Sequence, residues 1–358
     1  MKMKVINTMG RTLHFLNDYE SLGHENVLRK LQEHWNEYYR GYGFDTVSEQ
    51  VREQIKSFTN CPQAKTYFIA GGTLTNLLAC SAFLRPFESI IACDTAHISN
   101  MEAGAIEATG HRIINGKNVN GKLTPATIDK IVRENRAETK TVPRLVFLAN
   151  SSETGTVYTE AEIAGISQVC KQHDLFLFMD GARLGFAIAS EKQDLSLESI
   201  AKYCDVFYIG GTKNGAIYGE ALVITNPDLD RNFIQAQKNR GALLAKTYAV
   251  ALQFAALFAD ENLNAVDDFS QTLYMKNAKH ANKMAGLLAE TFVAAGYELA
   301  YPTESNQVFV YLPLSLCENI MDKVTFEITE KFEDRAKCRF VTTYMNTEAD
   351  MEELAKLI

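Results

Sequence analysis

Seven short, mostly apolar runs lie between positions 67 and 224: Tyr67–Ala70, Ser89–Cys93, Arg112–Ile114, Leu145–Ala149, Leu175–Met179, Val206–Ile209 and Ala221–Ile224. Between most of them stand amphipathic segments at helical spacing, such as Thr73–Phe83, Thr124–Arg133 and Thr159–His173. A strand that is apolar on both sides must be covered on both faces, and helical crossovers between strands make them parallel. The pattern therefore predicts an α/β fold: a mostly parallel seven-stranded sheet sandwiched by helices. Several runs end in polar or glycine-rich turns. In an open sheet, ligands bind at the carboxyl ends of the strands.

The flanks read differently. Glu25–Tyr39 carries Val27, Leu28, Leu31 and Trp35 at helical spacing, and the glycines of Arg40-Gly-Tyr-Gly-Phe-Asp45 break it. After the turn Asn226-Pro227-Asp228 come long helical patterns to about residue 294, including a buried helix within Ala245–Ala259. The tail reads as a strand at Val308–Leu312, a helix around Glu318–Lys331, a strand at Cys338–Thr342 and a last helix from Thr347. The expected division is an N-terminal arm and helix (1–45), a large domain (46–260) and a smaller α/β C-terminal domain (261–358).

Composition narrows the functions open to the chain. With 46% hydrophobic and 22% charged residues, 358 residues can build a core without disulfide or metal staples. The net charge of −8, with no basic block, argues against a nucleic-acid partner. No Cys/His spacing suits zinc, and cysteines inside apolar runs (Cys80, Cys93, Cys170) read as reduced core residues. No apolar run nears the ~20 residues of a membrane span, and the first residues lack a signal-peptide pattern. A cytoplasmic protein is expected.

The strand-end turns hold the reactive side chains. Lys213 follows a strand and two glycines in Phe207-Tyr-Ile-Gly-Gly-Thr-Lys213. There a lysine can lose its proton and form a Schiff base, or it can be an ordinary loop lysine. Thr212 beside it can hydrogen-bond a phosphate. Asp180 ends the run Phe176-Leu-Phe-Met, where a carboxylate needs a partner or caps the next turn. Arg183, three residues on, suits a carboxylate ligand or a structural ion pair. Gly71-Gly72-Thr73 opens a helix after a strand, where backbone N–H groups can hold an anion. Neither a P-loop nor a dinucleotide fingerprint occurs. His97 sits at a strand end and can stack on a ring or be structural. Glu153, in Asn150-Ser-Ser-Glu-Thr-Gly155, can act as acid or base or cap a helix. An anion nest, an imidazole, a carboxylate–arginine pair and a lysine on one edge are what pyridoxal 5'-phosphate requires.

From about residue 60 to 225, and more loosely to the end, the chain resembles the threonine aldolase / β-eliminating lyase group of fold type I pyridoxal-phosphate enzymes. Gly72-Thr73-Leu74-Thr-Asn76 resembles the group's phosphate cup. Asp94-Thr-Ala-His97 through Glu102-Ala-Gly104 is similar to its histidine motif, which implies that His97 stacks on the cofactor ring. Asp180-Gly-Ala-Arg183 resembles the Asp-Gly-Ala-Arg signature, which implies Asp180 on the ring nitrogen and Arg183 on the substrate carboxylate. Thr212-Lys213 takes the place of Ser-Lys, with Lys213 as the Schiff-base lysine. Arg339-Phe-Val-Thr342 resembles the stretch that supplies a second carboxylate contact.

Two departures fall on the substrate side. Glu153 stands where the group commonly has a second histidine, and the group's N-terminal Ser-Asp-Thr is only faintly echoed by Asn17-Asp18-Tyr19. The resemblance implies a lyase that cleaves a β-hydroxy amino acid, L-threonine or L-allo-threonine, to glycine and an aldehyde, with Glu153 as candidate base. β-Elimination, transamination and a non-catalytic homologue are the alternatives. It further implies a homodimer or homotetramer with sites at the interface, with Tyr42, Lys238 and Arg240 as candidates to cross it.

Overall fold

The computed structural model describes residues 12–192 and 194–358. The amino-terminal stretch read above for a signal pattern lies outside them. The central sheet has the seven expected strands: β1 (Lys65–Ile69), β2 (Glu88–Cys93), β3 (Arg112–Gly116), β4 (Val142–Ala149), β5 (Phe176–Asp180), β6 (Val206–Gly210) and β7 (Glu220–Ile224). Their order is β1-β7-β6-β5-β4-β2-β3. Neighbours from β6 through β3 are parallel, whereas β7 is antiparallel to both β6 and β1. Every residue of β2, β6 and β7 is buried, as a sheet covered on both faces requires. Each large side chain so buried contributes about 1.5–3 kcal/mol.

The crossovers begin where local chemistry dictates. Thr124 caps the helix Pro125–Glu134, whose first position is a proline with no N–H to leave unpaired. Thr159 and Glu162 form a capping box for Glu160–Gln172. The helix Tyr248–Leu257 is buried, as expected from its alanine-rich sequence.

Two elements differ from the sequence reading. The first helix spans Glu25–Glu33 only, and Trp35 is 80% exposed. Beyond it, His34, Glu37 and Tyr39 hydrogen-bond to one another through their side chains, and no burial of Trp35 rewards further helix. In the tail, the helix expected around Glu318–Lys331 is instead a helix at Leu314–Ile320 followed by strand Val324–Thr325 and β9 (Glu327–Lys331). Val324, Phe326 and Ile328 alternate with Thr325, Glu327 and Thr329. That period of two, rich in β-branched residues, is a strand signal.

With β8 (Gln307–Pro313) and β10 (Arg335–Val341), β9 forms a three-stranded antiparallel sheet in the order β9-β10-β8. Its core joins Val308, Val310, Cys338 and Phe340 to Met284, Leu288 and Phe292 of the helix Leu273–Ala294. Leu13 and Phe15 belong to this same core, and Leu13–His14 pairs in parallel with Val324–Thr325.

Candidate active site

Glycines set how closely the two central turns approach. A Cβ at Gly181 would lie 1.7 Å from the Tyr208 carbonyl oxygen, and one at Gly210 would lie 2.7 Å from the carbonyl oxygens of Gly181 and Ala182. Only hydrogen fits at either place, so the Asp180 turn after β5 packs directly on the end of β6. Asp180 is buried and well satisfied. Its Oδ1 accepts from the Tyr208 hydroxyl (2.5 Å) and the Ala182 backbone N–H (2.9 Å), and its Oδ2 accepts from Asn76 Nδ2 (3.0 Å). The same Asn76 nitrogen donates to Glu102 Oε1 at 2.8 Å. His97 Nδ1 lies 2.8 Å from that oxygen, which anchors a partly exposed imidazole. The hydrogen bond to Glu102 raises the His97 pKa, burial opposes the rise, and Glu153 and Asp180 add to it.

Lys213 lies in a short helical turn, Thr212–Asn214, directly after β6. Burial first, then the Arg183 cation, push its pKa down, while Asp18, Glu153 and Asp180 pull the other way. An amine with weakened hold on its proton is the nucleophile a Schiff base needs. The Thr212 hydroxyl is engaged elsewhere: it donates to Glu220 Oε1 (2.8 Å) and accepts from the Gly219 N–H (3.1 Å).

Arg183 has a partner that its sequence neighbours do not announce. Its Nε and Nη2 donate to Asp18 Oδ2 and Oδ1 at 2.8 and 3.1 Å, both side chains being buried. Asn306 Nδ2 donates to Asp18 Oδ2 at 3.0 Å and to the Thr342 carbonyl. Burial works against both ions, yet mutual attraction lowers the Asp18 pKa and raises that of Arg183. Glu153 sits in the turn after β4, within electrostatic reach of His97, Arg183 and Lys213. Its loop is tied to the smaller sheet's lobe: Ser305 Oγ donates to the Gly155 carbonyl (2.8 Å), and the Val157 N–H donates to Glu304 Oε2 (2.9 Å). Arg339 lies on β10 and pairs with Glu327 at 2.6 Å rather than with the Arg183 cluster; its buried Nε has no partner among the described residues.

At the end of β1 the helix Gly72–Phe83 starts without a side-chain cap. Among the described residues nothing lies within 4 Å of where a Gly71 Cβ would sit, and the Tyr208 hydroxyl lies 3.2 Å from where a Gly72 Cβ would, so there is room at the helix start beside its first N–H groups. That is an anion cradle. A cofactor with a phosphate, a basic ring nitrogen and an aldehyde fits these groups. The cradle would suit the phosphate, the remaining lone pair of Asp180 the ring nitrogen, and the Lys213 amine the aldehyde. Among the described residues no three His, Cys, Asp or Glu side chains are placed to hold a metal ion. No described helix is long and apolar enough to cross a membrane.

Sequence reasoning missed Asp18 as the partner of Arg183, Tyr208 as a donor to Asp180, Asn306, and Glu220. For Glu220 a signal existed: it is a carboxylate directly before an apolar run, as Asp180 is one directly after such a run.

The fold and these groups suit an enzyme that uses pyridoxal 5'-phosphate. The family described as beta-eliminating lyase matches residues 21–315. A low specificity L-threonine aldolase of Pseudomonas aeruginosa is 34% identical over 278 residues, 76% of each chain, and one from a Pseudomonas species is 30% identical over 321 residues, 88% of each. The solved structure of a Leishmania major threonine aldolase superposes with a TM-score of 0.91 at 37% identity, covering 96% of this chain and 98% of that one. The chain therefore belongs to the threonine aldolase / β-eliminating lyase family, and its cofactor is pyridoxal 5'-phosphate.

Proposed function

We propose that this enzyme cleaves the Cα–Cβ bond of a β-hydroxy-α-amino acid, L-threonine or L-allo-threonine, to glycine and an aldehyde. The likeness to the Leishmania threonine aldolase, over nearly the whole of both chains, is the observation that carries this reading. When bound, the cofactor supplies an electron sink for the bonds at Cα. The chain's own residues do the rest. Lys213 would be the covalent anchor, and Gly72, Thr73 and Leu74 would hold the phosphate. Asp180 would hold a proton on the ring nitrogen, and His97 would lie against the ring. Arg183, already oriented by Asp18, grips the substrate carboxylate with its remaining N–H groups, and Arg339 assists once freed from Glu327. Glu153 takes the β-hydroxyl proton as the Cα–Cβ bond breaks, directly or through a water.

The test is a substrate panel on reconstituted holoenzyme. Glycine with acetaldehyde supports the reading, whereas pyruvate or 2-oxobutyrate with ammonia would assign the site to elimination. Lys213→Ala should abolish turnover and borohydride-trappable cofactor together.

The large and small domains are proposed to divide near residue 260. Exposed Trp35 (80%), Tyr38 (101%) and Phe44 (55%), near Tyr42, support a homo-oligomer whose sites lie at the interface. Tyr42, Lys238 and Arg240 would reach across that interface, and analytical ultracentrifugation reads the state. Seven buried free cysteines suit a reducing, cytoplasmic setting, which fractionation can check.

A further inference from the structure

The hairpin that carries Lys213 has a buried carboxylate, Glu220, at its neck. Glu220 is the first residue of β7, and because β7 runs antiparallel, its beginning lies at the same sheet edge as the ends of β5 and β6. The side chain is 3% exposed. Its Oε2 accepts from the Gly211 backbone N–H at 2.9 Å and its Oε1 from the Thr212 hydroxyl at 2.8 Å. That hydroxyl accepts from the Gly219 N–H, and the Gly211 N–H also reaches the Gly219 carbonyl at 3.1 Å. Four hydrogen bonds thus join 211–212 to 219–220 and leave 213–218 as a closed loop. A Cβ at Gly211 would lie 2.6 Å from the Gly219 carbonyl oxygen, so the neck admits no side chain there.

A buried carboxylate is costly unless donors converge on it. Here two donors, one to each oxygen, favour the ionised form, and among the described residues no cation is bonded to it directly. The titratable groups around it are Lys213, Asp180, Tyr208 and Tyr274. Burial pushes the Glu220 carboxyl up to about 7; Thr212, Gly211 and Lys213 hold it down, and Asp180 adds to the rise.

We propose that Glu220 is a positioning residue: through Gly211 and Thr212 it holds the hairpin closed under Lys213, and its carboxylate lends negative charge to the lysine nitrogen. This rests on Lys213 being the cofactor's anchor. Thr212 then serves Glu220 rather than the phosphate, because a hydroxyl has one proton and Glu220 receives it.

The experiment compares holoenzymes of the wild type, Glu220→Gln, Thr212→Val and Thr212→Ser. Borohydride reduction and peptide mass mapping first locate the cofactor. Finding it away from Lys213 would remove the lysine assignment itself, whatever Glu220 does. With the cofactor on Lys213, the pH midpoint of the visible absorbance reports the proton on the lysine nitrogen. A nearby carboxylate favours the protonated form, so Glu220→Gln should lower the midpoint by roughly half a unit, about a threefold change in proton affinity. Thr212→Val leaves Glu220 harder to ionise and should lower it less, and Thr212→Ser should restore it. An unmoved midpoint in Glu220→Gln, at wild-type melting temperature, would overturn the proposal. So would weaker cofactor retention in Thr212→Val with the midpoint unchanged, which would return Thr212 to the phosphate. If Glu220→Gln does not fold, the two Thr212 variants decide alone.

Discussion

The cofactor side and the substrate side of this site are built in opposite ways. On the cofactor side, Asp180, Ala182, Tyr208 and the Lys213 hairpin come from two adjacent strands and meet through backbone contacts that only glycine permits. On the substrate side, Arg183 depends on Asp18 from the amino-terminal arm, Asp18 on Asn306, and the Glu153 loop on Ser305 and Glu304. Those partners are separated by 147 to 288 residues in the chain. One half is a property of a single sheet; the other requires two sheets and an arm to be assembled together. Cofactor chemistry can therefore be kept while substrate handling is altered, but not the reverse.

Substitutions can break this contrast. Gly181→Ala should have the largest effect. Its Cβ would overlap the Tyr208 carbonyl, prising the β5 turn from β6, at a cost of about 3 kcal/mol or more in denaturant unfolding and with loss of cofactor. Asp18→Ala comes next. It strands the buried Arg183 cation, for about 3–5 kcal/mol, and should raise KM with cofactor retention less affected. The pH sign follows from the depressed Asp18 pKa. Its contribution is present above the ordinary value of 3.8 and is lost as pH falls through the lower folded value. The variant should lose that acid limb; an identical acid-unfolding profile would count against the pair.

Glu102→Gln is a smaller perturbation of the cofactor side. It should bring the His97 midpoint, followed by NMR, back toward 6.5. In the native chain the raised pKa means that the stabilisation is full below 6.5 and is lost as pH rises through the folded value. The variant should flatten that slope. Ser305→Ala, which removes one tether of the Glu153 loop, should cost about 1 kcal/mol and shift substrate preference more than cofactor affinity. Equal effects on both would show that the two halves are not separable.

The central sheet was legible because its strands are mostly apolar runs, and the strand ends located Asp180 and Lys213. The partners of those residues were not legible. Tyr208 and Asn306 look like ordinary core and loop residues until the fold brings them to a carboxylate. Arg183 was read as either a ligand for a substrate carboxylate or half of an ion pair. The structure contains the ion pair, while its unused N–H groups keep the first role open. The tail from Val324 to Lys331 was misread because its alternation is short and follows a real helix. Trp35 misled through spacing alone: helical periodicity says which residues share a face, not whether anything packs on it.

The placement of the amino-terminal arm also bears on how the protein is made. Phe15 hydrogen-bonds to Thr325, 310 residues later, and its carbonyl accepts from Val341. Asp18 follows three residues behind. During synthesis the arm leaves the ribosome long before its binding groove, which does not exist until residues through Val341 have emerged. Arg183 thus waits through more than a hundred residues of elongation without its settled counterion. The substrate half of the site can be completed only after Asn306 and the strand through Val341 have been made.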